Sequence, residues 1–488
     1  MTTADAPARP APRALPDGLV AIVKQDCPTC RLVEPVLHEL AAGDEPLTVV
    51  TQDDPAFPAG LAPLDDTALA VSFALELETV PTLLRLRDGR EVARTVGWSR
   101  EQWEALTGRS GLGDGLPPHR PGCGSRTQDP DVAERREAAT AETQLRSRRI
   151  ALGTSEDEIE AMYERGWSDG LPLVPPTPER VARMLTGTAR AADEIVAIVP
   201  PDLVECTVEK VAINAVMAGC RPDHLPVVLA AVEGACTDTF NIHGVLATTW
   251  FAGPVLIVGG PVTRAIGMNS GINALGQGNR ANATIGRALQ LVVRNVGGGR
   301  PGEIDRATLG QPGKYSFCFA ENPAEPDWEP MHVTRGLAPE QSAVTLFAGE
   351  APRGMADQQS RTPDALATSL AMCLRAVAHP KIAIGFDAVL VVCPEHRRVF
   401  RNAGWSKDRV LDELMARLQL PGAELVRGAG GVSEGLPESV AGVTLPKFRP
   451  GGLQIAQAGG GAGFFSAIIG GWASGPTGSE PITVAIGD

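Results

Sequence analysis

Two cysteines three positions apart are the residues of this chain whose spacing most clearly predicts chemistry. Cys27-Pro28-Thr29-Cys30 follows the apolar run 19–23 and precedes apolar residues spaced like one face of a helix. A strand that turns into a helix at this motif places the first sulfur at the helix N-terminus, exposed, where free N–H groups and the helix dipole stabilise a thiolate. Because two thiols at this spacing can form a disulfide, the motif predicts a two-electron redox switch.

Zinc binding is the alternative use of the same motif. Zinc sites usually need a second Cys or His pair, and no other C-x-x-C or H-x3–5-H occurs in the sequence. We therefore favour a redox-active disulfide between Cys27 and Cys30, with no cofactor and no metal ligand assigned. A metal ion remains the open alternative.

The elements that would position the motif follow it along the chain. Thr79-Val80-Pro81 leads into a strand, Asp88-Gly89 marks a tight turn into a second strand, and a short helix is predicted at 101–106. With these elements in this order, residues 17–108 resemble the thioredoxin superfamily.

That resemblance implies a thioredoxin-like fold and a role for each motif residue. Cys27 would be the attacking thiol, Cys30 the resolving thiol, and Pro81 a cis-proline that shapes the substrate groove. One departure is Asp26, which stands where thioredoxin has tryptophan. A carboxylate beside the nucleophile would oppose thiolate formation, so the direction of electron flow is not fixed.

Length and composition limit what the rest of the chain can be. The 488 residues predict more than one domain, and the net charge of −14 disfavours binding to nucleic acid. The first 16 residues lack a secretory signal, and no apolar run is long enough to cross a membrane. Nine scattered cysteines suit reduced thiols, so we expect a cytoplasmic protein, with the oligomeric state open and a homo-oligomer among the options.

We predict an α/β protein in four parts: a disordered N-terminus at 1–16, a thioredoxin-like domain at 17–108, a linker at 109–150, and a larger α/β or α+β domain at 151–488. In the large domain, helices are predicted at 207–218, 223–235, 281–295, 362–377 and 407–418, with strands at 254–259, 315–319, 388–393 and 453–457. A short echo between 246–249 and 366–369, each ahead of a strand, hints at a duplicated half.

Cys123 lies in the predicted linker, so a buried position in a core does not explain it. Cys123-Gly124-Ser125 resembles the motif of a thioredoxin-associated family named for selenocysteine-Gly-Ser-Cys, with Arg126 in place of the second cysteine. The segment 166–178 is similar to sequence of the same group, and the resemblance covers about 120–488. It implies a reactive thiol whose pKa Arg126 could lower. The alternative is an incidental linker cysteine.

A Gly/Asn-rich loop that enters a helix is the candidate substrate site of the large domain. Asn279, Arg280 and Asn282 stand at the helix entry, and Arg287 lies about two turns further on. Free N–H groups at a helix N-terminus suit an anionic group, so these four residues are predicted to bind substrate. The alternative is that the polar residues serve turns and caps.

Three more residues could act in catalysis. Glu321 leaves a predicted strand and could be a general base, and His243 in a loop could serve the same purpose. Cys393, at the end of a strand where exposure is expected, is a reserve nucleophile.

These observations predict a thiol-dependent oxidoreductase. The thioredoxin-like domain would serve a large domain that binds a small polar or anionic molecule, with Cys123 as a relay and a thiol reductant or thioredoxin reductase as partner. The competing hypotheses are a non-redox lyase or hydrolase in the large domain, and thiol-based handling of a metal or organometal by Cys27, Cys30 and Cys123.

Overall fold

A computed structural model describes residues 15–129, 132, 145–153, 156–323, 328–475 and 477–487. Almost all of the predicted disordered N-terminus, and much of the second half of the predicted linker, therefore lie outside the described residues. The chain divides into two compact units, Met1–Thr140 and Ala141–Asp488. Both contain helices and sheets, which confirms the predicted mixed α/β class.

The first unit is built on a five-stranded mixed sheet with the order β3-β2-β1-β5-β6. β1 pairs in parallel with β2 and antiparallel with β5. Its strands are β1 Gly18–Val23, β2 Leu47–Thr51, β3 Leu64–Asp65, β4 Thr79–Val80, β5 Thr82–Arg87, β6 Arg90–Val96, β7 Trp98–Ser99, β8 His119–Arg120 and β9 Cys123–Gly124. Its helices are α1 Pro28–Ala41, α2 Ala70–Ala74 and α3 Arg100–Thr107.

The core of the first unit lies between the central strands and the helices. All but the first residue of β1 are buried, and α1 turns its apolar face, Val33, Val36, Leu37 and Leu40, into the same cluster. This is the strand-to-helix unit that the apolar pattern predicts. The turn at Asp88-Gly89 joins β5 to β6, also as predicted.

The second unit is built on an eight-stranded sheet whose main path is β13-β12-β14-β20-β16-β19. Two separate two-stranded sheets, β10-β11 and β17-β18, belong to the same unit. The strands of the second unit are β10 Ile195–Val199, β11 Val204–Thr207, β12 Gly253–Gly259, β13 Cys318–Ala320, β14 Ala343–Gly349, β15 Arg353–Ala356, β16 Phe386–Val392, β17 Gln419–Pro421, β18 Thr444–Pro446, β19 Leu453–Gln457, β20 Phe465–Ala473 and β21 Ile482–Ala485.

The helices of the second unit alternate with these strands. They are α4 Glu158–Glu164, α5 Pro178–Leu185, α6 Val208–Ala218, α7 Leu225–Ala235, α8 Ile242–Ala247, α9 Val262–Ala265, α10 Arg280–Asn295, α11 Met331–Thr334, α12 Pro363–Leu374, α13 Pro394–Asn402, α14 Lys407–Arg417 and α15 Gly422–Leu425.

The sheet of the second unit consists of two similar halves. In the first half, β12 pairs in parallel with β13 and antiparallel with β14. In the second half, β16 pairs in parallel with β19 and antiparallel with β20. The strand order is therefore the same when read from either edge. The echo segment 246–249 begins at the end of α8 and 366–369 lies within α12, and each of these helices precedes the first strand of its half. The strand order therefore agrees with a duplication, although the two echo segments differ in structure.

Alternate residues of these strands lie on opposite faces of the sheet: one face packs on helices, with a separate cluster for each half, and the other face carries one shared cluster. Leu256 and Val258 pack with α6, α7 and α10, and Leu390 and Val392 pack with α12, α13 and α14. The intervening residues of both halves form one shared cluster: Val255, Ile257, Phe319, Phe347, Val389, Val391, Ala456 and Ile469. At the edges of the sheet, the N–H of Asn322 after β13 donates to the carbonyl of Gln457 in β19 at 2.7 Å.

Candidate active site

Cys27 is the residue at which α1 begins. Its backbone is extended (φ −121°, ψ 116°), Pro28 occupies the first helical position, and the Cys27 Sγ accepts a hydrogen bond from the N–H of Cys30 at 3.3 Å. Proline suits this position because its fixed φ fits the helix and its missing N–H would have no helical partner there. The local sequence thus aims an otherwise unpaired N–H at the sulfur.

The surroundings of Cys27 lower its pKa from an ordinary 9.0 to about 5. The hydrogen bond from the Cys30 thiol contributes most; burial acts in the opposite direction, and the Cys123 thiol and the N–H groups of Cys30 and Thr29 add to the lowering. Cys30 itself is deeply buried, which raises its pKa far above the ordinary value. At neutral pH the cluster therefore holds one thiolate, on Cys27, and thiols that donate to it.

The residue before Pro81 contacts this sulfur. The peptide bond between Val80 and Pro81 is cis, as the resemblance implies, and the Cys27 Sγ lies 3.6 Å from the carbonyl oxygen of Val80. The backbone just before the proline is thus one wall of the thiol site.

Cys123 lies beside this part of the site. The short strand β9 pairs antiparallel with β4, which places Cys123 opposite Val80 in the strand register, and the nearby Cys123 thiol helps to lower the pKa of Cys27. This differs from the predicted linker, because residues 119–127 fold back onto the first unit. We call these residues the covering segment.

Several contacts hold the covering segment in place, and three of them involve Thr29, Gln52 and Gly122. The Thr29 hydroxyl donates to the carbonyl of Pro121 at 2.8 Å, and the buried Gln52 amide donates to the Ser125 hydroxyl at 2.8 Å. Gly122 completes the fit, since a Cβ at this position would lie 2.7 Å from the Val80 carbonyl oxygen. Sequence reasoning missed Thr29 and Gln52; the one signal was a polar residue, Gln52, directly after a buried strand.

Two expectations about this site were wrong. Cys27 was expected to be exposed, but its exposed fraction is 0%, because the covering segment lies against it. Arg126 was expected to lower the pKa of Cys123, but burial and the hydrogen bond to Cys27 raise that pKa. The Arg126 guanidinium donates to the carbonyl of Gln52 at 2.9 Å and faces Asp129.

The four predicted substrate-binding residues of the second unit all have partners within the fold. Asn279 caps α10 by accepting from the N–H of Asn282 at 3.0 Å, and the buried Asn282 side chain binds the backbone of Asn269 and Ala274. Arg280 donates to the carbonyl of Gly219 at 2.9 Å. These contacts favour the alternative of turns and caps.

Arg287 has a structural partner as well. Its guanidinium donates two hydrogen bonds to Asp169, both at 2.8 Å, and two more to the carbonyls of Leu171 and Pro172. This bidentate pair fixes the segment before α5 onto α10.

Glu321 and His243 have different environments. Glu321 is buried, and its two carboxylate oxygens accept from the N–H groups of Met331 at 2.5 Å and Gln457 at 3.2 Å. Burial raises the pKa of Glu321, while Lys407 and these N–H groups act against the rise. His243 is exposed on α8. The structure therefore describes Glu321, but not His243, as part of a buried polar network.

Cavities of the second unit lie largely away from the predicted residues. A cleft of about 850 Å³ is lined by α4, α6 and the segment 145–152, with Trp167, Lys210 and Asn214 among its side chains. A smaller depression of about 400 Å³ includes Asn279. Of the predicted binding residues, Asn279 alone lines either cavity.

Within the described residues, no group of three or more His, Cys, Asp or Glu is arranged to hold a metal ion. In that same part of the chain, no helix combines the length and apolarity needed to span a bilayer. No known protein-family model and no curated protein matches the sequence.

Proposed function

We propose that the first unit is a thioredoxin-like thiol–disulfide oxidoreductase centre in which Cys27 is the nucleophile. The observation that carries the proposal is the Cys27 sulfur itself: it caps a helix, it accepts from the N–H of Cys30 at 3.3 Å, and its surroundings lower its pKa to about 5. A thiolate present at neutral pH is what attack on a disulfide requires.

The exchange proceeds through a mixed disulfide. The Cys27 thiolate attacks one sulfur of the substrate disulfide; a bond forms between these two sulfurs, and the other substrate sulfur leaves as a thiolate. A second protein thiol then loses its proton and attacks the Cys27 sulfur, which releases the remaining substrate thiol and leaves an intramolecular disulfide. An external thiol reductant, either a small thiol or a thioredoxin reductase, restores the reduced protein.

Cys30 and Cys123 are both placed to be the second thiol. The N–H of Cys30, one helical turn away, donates to the Cys27 sulfur at 3.3 Å. Cys123 on β9 pairs with Val80, whose carbonyl oxygen lies 3.6 Å from the same sulfur. Cys123 is the more exposed of the two. We therefore assign it as an additional resolving thiol, whose disulfide with Cys27 would hold the covering segment closed.

The second unit is the part of the chain that we assign to substrate binding. Its cleft of about 850 Å³ is large enough for a small molecule, and the Lys210 side chain on its wall supplies positive charge for a polar or anionic one. The cytoplasm, where thiols are kept reduced, is the compartment in which such a centre would work.

Single-turnover exchange with glutathione disulfide, followed by mass spectrometry of the whole protein, tests the proposal. Wild type should release both glutathione thiols and end with an internal disulfide, and Cys27→Ser should not react at this site. Cys30→Ser should still release the bound glutathione through Cys123, whereas the double variant Cys30→Ser/Cys123→Ser should retain it on Cys27.

Cys206→Ser is the matched control, because Cys206 is a buried cysteine of the second unit whose pKa is raised to about 12. It should behave as wild type. Equal exchange by wild type and Cys27→Ser would refute the oxidoreductase assignment. Glutathione trapped on Cys30→Ser as firmly as on the double variant would refute the role of Cys123 alone.

A further inference from the structure

Cys393 repeats in the second unit the local arrangement of Cys27. It follows the last residue of β16, Pro394 occupies the first position of α13, and the Cys393 Sγ accepts from the N–H of His396 at 3.4 Å. The cysteine was expected to be exposed, but its exposed fraction is 5%, since the loop 459–463 lies against it. The fourth residue of this motif is a histidine in place of the second cysteine.

The hydrogen bonds of His396 determine which ring nitrogen can take a proton. Nε2 lies 3.0 Å from the carbonyl oxygen of Asp357, which can only accept, so Nε2 carries the hydrogen in the neutral ring. Nδ1 is then the basic nitrogen, and it lies 2.8 Å from the hydroxyl of Ser466. The same hydroxyl accepts from the N–H of Cys393 at 3.2 Å.

Cysteine, histidine and an orienting acceptor therefore stand in the order that nucleophilic catalysis uses. The Cys393 sulfur accepts from the N–H of His396, and the Ser466 hydroxyl joins the Cys393 backbone to Nδ1 of the His396 ring. The ring is held by a further group, the Asp357 carbonyl. Burial opposes charge on both side chains, but their mutual contact outweighs it, so the pKa of Cys393 is lowered and that of His396 is raised.

The other charged groups around the pair are largely engaged. The Asp357 carboxylate accepts from the N–H and hydroxyl of Ser360, and Glu395 accepts from the N–H of Gly463 at 2.6 Å. Arg397 donates to Gln457. On the outer side, the Arg361 guanidinium lies 4.4 Å from the centre of the Phe464 ring, which itself contacts His396.

We propose that Cys393 and His396 form a second nucleophilic centre, which accepts the acyl group of a negatively charged acyl donor. The donor would approach at the loop 459–463, where a substrate would displace the contact of 3.4 Å between the Cys393 sulfur and the Gly463 carbonyl. Most of this loop is glycine, so little side chain obstructs the approach. Arg361, at the rim, supplies the positive charge.

The proposed step balances without a further reagent. His396 Nδ1 takes the thiol proton, and the Cys393 thiolate adds to the carbonyl carbon of the donor. A carbon–sulfur bond forms, the bond from that carbon to the leaving group breaks, and the leaving group takes the proton from His396. The product is a thioester on Cys393, and water or a second nucleophile can release the acyl group.

Peptide mapping by mass spectrometry after brief treatment of the full chain tests this centre. The probes are succinyl-CoA, an anionic acyl donor, and iodoacetamide, which reports the thiolate whether or not acyl transfer occurs. We expect succinylation and alkylation at Cys393 in wild type, and at least a tenfold slower alkylation at neutral pH in His396→Gln. Cys220, buried with a pKa raised to about 12, is the internal control and should stay unmodified.

The pH dependence in wild type keeps the test independent of whether His396→Gln folds. Alkylation of Cys393 should reach its plateau at a lower pH than alkylation of Cys236, a half-buried thiol directly after α7 whose pKa burial raises to about 12. Equal pH dependence of the two thiols, or equal alkylation of Cys393 in wild type and a folded His396→Gln, would overturn the nucleophilic centre. Alkylation without succinylation would overturn the assigned acyl donor. Cys27→Ser should leave every result at Cys393 unchanged, so this inference and the proposed function can fail separately.

Discussion

Replacing Cys30 with alanine should raise the pKa of Cys27, because the Cys30 thiol is the strongest of the groups that lower it. In wild type this pKa is about 5, against an ordinary value of 9.0. At about pH 6, some 90% of Cys27 is then thiolate, compared with roughly 0.1% for an ordinary thiol. The variant removes the thiol donor but keeps the N–H of residue 30.

The expected size of the change follows from the hydrogen bond that is lost. A hydrogen bond to a charged group contributes about 1.5–3 kcal/mol, and 1.36 kcal/mol corresponds to one pKa unit. Cys30→Ala should therefore move the midpoint of Cys27 ionisation up by about one to two pH units. The midpoint stays below 9.0, since the N–H groups of residues 29 and 30 and the Cys123 thiol still donate.

Thiolate absorbance in the ultraviolet measures the midpoint without a reagent having to reach the buried sulfur. Each titration is compared with the same protein carrying Cys27→Ser, which removes the contributions of other thiols, including Cys393. Cys123→Ala should raise the midpoint less than Cys30→Ala does, because the Cys123 thiol contributes less. A wild-type midpoint near 9, or a Cys30→Ala midpoint equal to that of wild type, would refute the account of why Cys27 ionises.

Three further predictions concern contacts that hold the two units in shape. Gly122→Val should displace the covering segment, since the new Cβ would lie 2.7 Å from the Val80 carbonyl oxygen. Alkylation of Cys27 at about pH 8 should then be severalfold faster than in wild type. The control Gly124→Val should leave the rate unchanged, because nothing lies within 4 Å of its Cβ. Glu321→Gln should lower the free energy of unfolding by about 1–3 kcal/mol in denaturant titrations, because one buried N–H loses its acceptor. The control Glu340→Gln, at an exposed residue, should change that free energy by less than about 0.5 kcal/mol. A double-mutant cycle of Arg287 and Asp169, whose side chains are mostly buried, should give a coupling free energy of about 1.5–3 kcal/mol. The same cycle for the exposed pair Arg375 and Glu424 should give less than about 1 kcal/mol. Equal coupling free energies for the two pairs would contradict the structural role of Arg287.

Periodicity in the sequence predicted the regular elements that are strongly apolar on one or both faces. The predicted strand 254–259 is β12, and the predicted helix 281–295 is α10. β20 is not among the predicted strands, because Gly470 and Gly471 weaken the strand signal. A Cβ at Gly471 would lie 2.9 Å from the carbonyl oxygen of Asp387 in β16. Close packing against β16 therefore requires a glycine at this position, and the same glycine weakens the sequence signal for β20.

In both thiol sites, some features follow from neighbouring residues of the sequence and others from residues far away along the chain. Cysteine followed by proline at a helix start is a local signal, and it marks both Cys27 and Cys393. Their partners are distant: Thr29 contacts Pro121, 92 positions away, and His396 contacts Ser466, 70 positions away. A single sequence carries no pattern that pairs such residues, because the sheet that joins them forms from several segments at once. Spacing therefore predicts which sulfur lies at a helix N-terminus, and long-range contacts decide whether that sulfur is buried and which groups donate to it.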